Sequence, residues 1–146
     1  MRSSLITFYE CYEDCPGQEE WKKSLPRHLR REEIIIIVGF DLTKSESYND
    51  CDDWIRIVRN HAPSAVIFAV GTKADLVEER AVTAEEARNH FSAMEPPVPY
   101  RETSALTGEG VNELFEDSVR LWFMTNKQVN SNVDKIGEDH KPCTIC

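Results

Sequence analysis

Two uninterrupted apolar runs constrain this chain more than any other feature. Residues 34–40 read Ile-Ile-Ile-Ile-Val-Gly-Phe, and residues 65–70 read Ala-Val-Ile-Phe-Ala-Val. A strand with one wet face alternates polar and apolar positions. A short run that is apolar throughout, and too short for a helix, fits a strand buried on both faces of a parallel sheet. Two weaker segments join them. Residues 5–12 are mixed and more polar, as for a strand nearer an edge, and residues 98–100 lead into Arg101.

Helical patterns separate these segments. Across residues 46–61, Tyr48, Cys51, Trp54 or Ile55, and Val58 recur at spacings of three and four, forming one apolar face. Thr43 and Glu46 form a capping-box signature at its start, and Pro63 lies beyond its end. Thr83 and Glu86 repeat that signature ahead of a helix over 83–94, which Pro96-Pro97 stops. A last helix over 111–124 aligns Val111, Leu114, Phe115, Val119 and Trp122, and residues 19–31 read as an irregular helix interrupted by Pro26. Strand and helix thus alternate four times, which predicts an α/β layered fold on a parallel sheet. Residues 125–142 lose the pattern and read as a flexible tail. No internal repeat is present.

The 146 residues suffice for one domain with a real core. Lys and Arg total 17 against 26 Asp and Glu, a net charge of −9, so a sequence-independent hold on a nucleic-acid backbone is not expected. The longest strongly apolar run, residues 34–38, is far below the roughly 20 residues of a spanning helix, and Met1-Arg2-Ser3-Ser4 leads into no signal-type apolar region. The expectation is a cytoplasmic protein. Five cysteines, an odd count, fit a reducing compartment. Cys11, Cys15 and Cys51 lie in the body, while Cys143 and Cys146 close the chain.

Ligand sites in open α/β sheets form outside the carboxyl ends of the strands. Three strand exits carry distinctive strings: Asp14-Cys15-Pro16-Gly17-Gln18-Glu19, Gly71-Thr72-Lys73-Ala74-Asp75, and Glu102-Thr103-Ser104-Ala105. A carboxylate at a strand end followed by a Gly turn can reach Mg²⁺ or its waters, and Gly17 lets a backbone N–H approach a phosphate. Gln18 can orient an attacking water. Asp75 can accept two parallel hydrogen bonds from a donor edge such as guanine N1 and N2, with the Lys73 stem covering a flat ring. Ser104-Ala105 supplies a small residue and an amide within reach of a purine O6. Each string by itself also reads as an ordinary solvated turn.

Taken together, in this order and at these spacings, the strings resemble the Ras-like small GTPases, the Rab and Ras branches most closely, from Tyr12 to Phe123. Asp41-Leu42-Thr43 and Trp54 are further echoes. The resemblance implies the family's three-layer, P-loop NTPase-like fold with a mostly parallel sheet. It implies GTP or GDP with Mg²⁺ as ligands: Asp14 as the Mg²⁺-associated carboxylate, Gly17 as the phosphate-sensing amide and Gln18 as the catalytic, water-orienting residue. Thr72, Lys73, Asp75 and Leu76, with Ser104, Ala105 and Leu106, would form the guanine pocket. The implied role is a nucleotide-dependent switch in vesicle trafficking or signalling that meets effector and regulator proteins.

The sequence also departs from the family pattern. Thr72 stands where Asn is usual, as in Rho-type members; Leu106 replaces Lys, Cys15-Pro16 stand for Thr-Ala, and Glu13 for Trp. No G-x-x-x-x-G-K-[ST] occurs in these residues, and none of the six glycines is placed for one. The expected domain, 1–124, is therefore N-terminally incomplete, lacking the phosphate loop and first switch segment. In the family's sheet the missing strand lies between residues 5–12 and 34–40, and its removal leaves backbone groups unpaired. Two explanations stay open: a fragment of an ordinary GTPase, or a degenerate member acting as a non-catalytic interaction module, its N-terminal segment closing the gap differently. Either way, the chain as written is expected to bind GTP poorly and scarcely hydrolyse it.

The tail, 125–146, ends Cys143-Thr144-Ile145-Cys146, which fits C-a-a-X with Cys143 as the prenylated thiol and Cys146 as a second site. Three Lys balance three acidic residues in the tail, so no polybasic patch assists a single lipid, and two lipids fit better. The expected location is peripheral, on the cytosolic face of a membrane. A C-x-x-C metal or redox pair is the alternative, but a flexible chain end lacks the scaffold of a closed zinc site.

Overall fold

The computed structural model describes residues 35–125. Three parallel strands form one sheet in the order β1-β2-β3: β1 is Ile35–Asp41, β2 is Val66–Thr72 and β3 is Tyr100–Glu102. Pairing runs in register from Ile35 opposite Val66 to Asp41 opposite Thr72, then from Ala69 opposite Tyr100 to Gly71 opposite Glu102. The two apolar runs are thus neighbouring strands, each shifted a residue or two towards the C-terminus relative to the sequence reading. The strand expected over residues 5–12 and the helix over 19–31 lie outside the described residues.

Helix α1 spans Ser45–Asn49, α2 Cys51–His61, α3 Ala84–Ser92 and α4 Val111–Thr125; a 3₁₀ turn occupies Val77–Glu79. The single helix expected over 46–61 is divided at Asp50, although the Asp50 and Trp54 amides still donate to Glu46 O and Asp50 O. Its predicted face holds: Tyr48, Cys51, Ile55 and Val58 are buried. Thr83 caps α3, its hydroxyl accepting the Glu86 amide at 3.2 Å. Thr43 does not cap α1 in the same way. Lys44 holds the cap position with no side-chain bond, and Thr43 instead donates both its amide and its hydroxyl to Asp41 Oδ1. The ionised carboxylate two residues away accepts both Thr43 donors in charge-assisted bonds, which hold the hydroxyl at this local turn and away from the helix amides it would cap.

One face of the sheet packs against α2 and α3. Val38, Phe40, Ile55, Ala69, Ala87 and Phe91 belong to its core, with Phe40 near-parallel to Tyr100. The other face packs against α4, where Leu114 is buried against Phe68 and Val70, with Leu121 beside them. The α4 face differs from the expected one. Leu114 and Ser118 are its buried residues, whereas Phe115 is 37% exposed, a turn of one residue around the helix axis. Ser118 fits against the sheet because its hydroxyl is satisfied within the helix, donating to Phe115 O at 2.9 Å. No helix among the described residues is long and apolar enough to cross a membrane.

Candidate functional site

The exits of the three parallel strands lie side by side, because the register ends Asp41 opposite Thr72 and Gly71 opposite Glu102. Backbone bonds lace the exits together. The Leu42 amide donates to Thr72 O, Thr103 N to Gly71 O, and Ala74 N to Thr103 O. The strings following β2 and β3 therefore form one floor of two adjoining loops.

Within that floor, Asp75 and Ser104 meet. The Ser104 hydroxyl donates to Asp75 Oδ1 at 2.5 Å and accepts the Thr107 amide at 3.1 Å. Ser104 is fully buried, so its orientation is set by packing as well as by bonding. Asp75 Oδ2 has no hydrogen-bond partner among the described residues, which leaves one carboxylate oxygen to address a donor edge. Leu76 follows, partly buried, with its amide donating to Lys73 O; Ala105 and Leu106 stand out into solvent, Leu106 at 84% exposure. The structure thus brings Asp75, Leu76, Ser104, Ala105 and Leu106 onto two adjoining loops.

Thr72 and Lys73 are committed elsewhere. The Thr72 hydroxyl donates to Phe40 O at 2.9 Å, tying β2 to β1. Lys73 has a left-handed backbone, φ 63°, rare for a residue with a Cβ, and its ammonium sits 2.7 Å from Asp41 Oδ2. Burial pushes the Asp41 carboxyl up, but the Lys73 ammonium and the two Thr43 donors outweigh it, bringing the pKa down to about 2. The same pairing with Asp41 raises Lys73 above its ordinary value. Sequence reasoning named Asp41 only as a family echo and missed this ion pair. A signal existed: an acid closes β1 and a base follows the last residue of β2, one position past the residue opposite that acid.

A second network was also missed. Arg80 grips Glu102 with both terminal nitrogens, at 2.9 and 2.6 Å, and the Tyr100 hydroxyl donates to Glu102 Oε1 at 2.8 Å. Arg80, as the stronger influence, draws the Glu102 carboxyl below its ordinary range, whereas burial and then the Glu102 bond raise the Tyr100 phenol. This clamp fixes the β3 exit to the segment leading into α3.

Asp14, Gly17 and Gln18, with Cys143 and Cys146, lie outside the described residues. Among the described residues no cluster of three or more His, Cys, Asp or Glu side chains is arranged to hold a metal. The loops after β2 and β3 present one oriented carboxylate acceptor, Asp75, beside the exposed Ala105 and Leu106.

The sequence model of the Ras family matches residues 11–135. The chain belongs to the Ras family. This Ras-family chain is 37% identical over 125 residues to Ras-related protein Rab-4 of Dictyostelium discoideum, covering 85% of the chain and 60% of that relative. It is 37% identical to GTP-binding protein ypt5 of Schizosaccharomyces pombe and 33% identical to Ras-related protein Rab-22A of Mus musculus, each over 103 residues, or 70% of the chain. Those alignments cover 48% of ypt5 and 52% of Rab-22A. The chain thus spans about half to three-fifths of the length of the curated relatives it matches.

Proposed function

We propose that the two loops after β2 and β3 form the guanine-binding half of a Rab-type nucleotide switch working in vesicle trafficking or signalling. The observation that carries this reading is the Asp75 carboxylate, held through one oxygen by buried Ser104. Its second oxygen, with the remaining lone pair of the first, is suited to guanine N1–H and N2–H, whose parallel donors adenine does not present. The Lys73 stem covers one face of the ring, Leu76 and Leu106 line its edges, and the exposed Ala105 loop supplies an amide for O6. Thr72 replaces the usual Asn and braces the strand exits instead of reaching the base.

On the phosphate side the reading assigns Asp14 to Mg²⁺, Gly17 to the γ-phosphate and Gln18 to the attacking water. Mg²⁺ supplies charge neutralisation across the phosphates when bound. These 146 residues hold no G-x-x-x-x-G-K-[ST] loop, the element that cradles the β-phosphate with amides and a Lys. Base contacts without that cradle give weak binding, so GTP hydrolysis by this chain is negligible. The same feature favours a second reading, a family-like surface that binds effector or regulator proteins without turnover. Prenylation at Cys143 and Cys146 would hold either form on the cytosolic face of a membrane.

Titration of the full chain with a fluorescent GDP analogue and Mg²⁺, with guanosine and adenosine as competitors, tests the reading. Weak binding that prefers guanosine, and loses the preference in Asp75→Ala, supports the base site. Equal competition by both nucleosides overturns it, and a Kd tighter than about 1 µM overturns the loss of phosphate anchoring. Replacing Cys143 and Cys146 by Ser and following membrane partition in cells tests the lipid assignment; unchanged partition removes it.

A further inference from the structure

Among the described residues, Lys73 is the one non-glycine with a left-handed backbone, φ 63°. Glycine adopts that conformation freely, so a long cationic side chain kept there points to a task for the side chain itself. Neighbouring bonds hold the turn: the Leu76 amide donates to Lys73 O at 3.1 Å, and the Ala74 amide to Thr103 O at 3.0 Å. The Lys73 side chain is 51% exposed, yet its ammonium is pinned 2.7 Å from Asp41 Oδ2.

Asp41 is itself fixed. It closes β1 opposite Thr72, the residue before Lys73. Its Oδ1 accepts the Thr43 amide at 2.9 Å and the Thr43 hydroxyl at 2.7 Å, and its own amide donates to Ser47 Oγ at 3.0 Å. Only 14% of the Asp41 side chain is exposed. A carboxylate tied at both oxygens keeps one orientation, whereas an ammonium on a flexible stem takes up the geometry of whatever holds it.

Other carboxylates compete for that ammonium. The bond to Asp41 is the foremost influence raising the Lys73 pKa, and Glu79 and Asp75 act in the same direction more weakly. Asp75 is the carboxylate assigned to the base edge, with Oδ1 bonded to Ser104 and Oδ2 free of hydrogen bonds among the described residues. If the Lys73 ammonium closed on Oδ2, it would fill an acceptor that a base donor needs.

We infer, resting on the base-site reading above, that Asp41 is a positioning residue of the guanine site: it anchors the Lys73 ammonium at the β1 exit, so that the stem lies along the base and the charge stays off Asp75. Without Asp41, the stem leaves the ring and the ammonium turns to Asp75. Base affinity then falls through Lys73 alone.

NMR titration of the full chain with guanosine monophosphate, with adenosine monophosphate as the control, tests this. In the parent, the Lys73 methylene protons should move upfield as the ring current of the bound base reaches them. Asp41→Asn should weaken guanosine monophosphate binding roughly threefold or more and diminish that upfield shift at matched occupancy. Adding Asp41→Asn to Lys73→Met, which keeps a stem without the charge, should change affinity by less than about twofold. Equal weakening in both backgrounds overturns the proposal, since a merely structural Asp41 loosens the loops whatever stands at position 73. Unchanged affinity in Asp41→Asn also overturns it, and leaves the base site standing where Asp75→Ala removes the preference over adenosine monophosphate. A parent without that preference overturns the base site and Asp41's role together. Should Asp41→Asn fail to fold, Lys73→Met decides by itself, its side chain being half exposed. Parent-like affinity in Lys73→Met overturns the proposal, because the stem then needs no anchor.

Discussion

The hydroxyl of Ser104 donates to Asp75 Oδ1 at 2.5 Å, joining the loop after β3 to the loop after β2. One oxygen carries this coupling, since the same hydroxyl also accepts the Thr107 amide. A carboxylate on an exposed turn would otherwise sample several rotamers. Tied to a fully buried residue, it keeps one orientation, which is what recognition of a planar base edge requires.

Ser104→Ala should therefore cost about 1–3 kcal/mol, because it leaves both the Thr107 amide and Asp75 Oδ1 without this partner. Urea unfolding should show a lower midpoint at unchanged slope. A loss within about 0.5 kcal/mol would mean that the bond is no stronger than its replacement by water.

Acid should weaken the strand exits in a defined window. Asp41 has a folded pKa of about 2 against an ordinary 3.8, so its contribution is present above 3.8 and is lost as pH falls towards 2. Glu102 is depressed as well and acts in the same direction, its contribution lost as pH falls below its ordinary 4.5. Lys73 is half exposed, so the Asp41 part is on the order of 1 kcal/mol after solvent screening. Asp41→Asn should be less stable than the parent at pH 6 and should show a shallower decline between pH 4 and pH 2, in denaturant titrations across about that range. Identical slopes for the two proteins would remove Asp41 from the account.

Two glycines in the loop leading to α4 should respond differently to alanine. Both have positive φ, 80° at Gly108 and 71° at Gly110. A Cβ on Gly108 meets nothing within 4 Å, so the strain is conformational alone and should cost about 1 kcal/mol. On Gly110 it would lie 2.3 Å from the Glu102 carbonyl oxygen, so backbone must move, and the loss should exceed about 2 kcal/mol. Thermal unfolding of the two variants side by side checks the order.

Core and rim should separate equally clearly. Phe91 is fully buried and packs on Phe40, Tyr48 and Tyr100, so Phe91→Ala should cost about 3–5 kcal/mol. Leu106 is 84% exposed, and Leu106→Ala should leave stability within about 0.5 kcal/mol. Any change that Leu106→Ala makes to guanosine competition then reports on the base site and not on folding.

Much of this was legible in the residues. The runs at 34–40 and 65–70 specify buried parallel strands because apolar side chains at every position need cover on both faces. Thr83 and Glu86 specify the start of α3 because a capping bond is local. Tyr48, Cys51, Ile55 and Val58 mark the buried face shared by α1 and α2 through periodicity alone. The strings around Asp75 and Ser104 identify the family because their residue types and order survive without any coordinates.

The tertiary structure decided whatever depends on competition between distant partners. Thr43 leaves the helix cap because Asp41, already oriented by Lys73 from the next strand, accepts both its donors. Thr72 turns to Phe40 O because parallel register sets β1 beside it. The α4 face settles on Leu114 and Ser118 because a serine that satisfies itself can pack where the sheet comes close. Periodicity and capping are properties of a few neighbouring residues, so a linear chain records them. Which partner a hydroxyl takes, or which flank of a helix meets the sheet, is settled by groups that folding alone brings within reach.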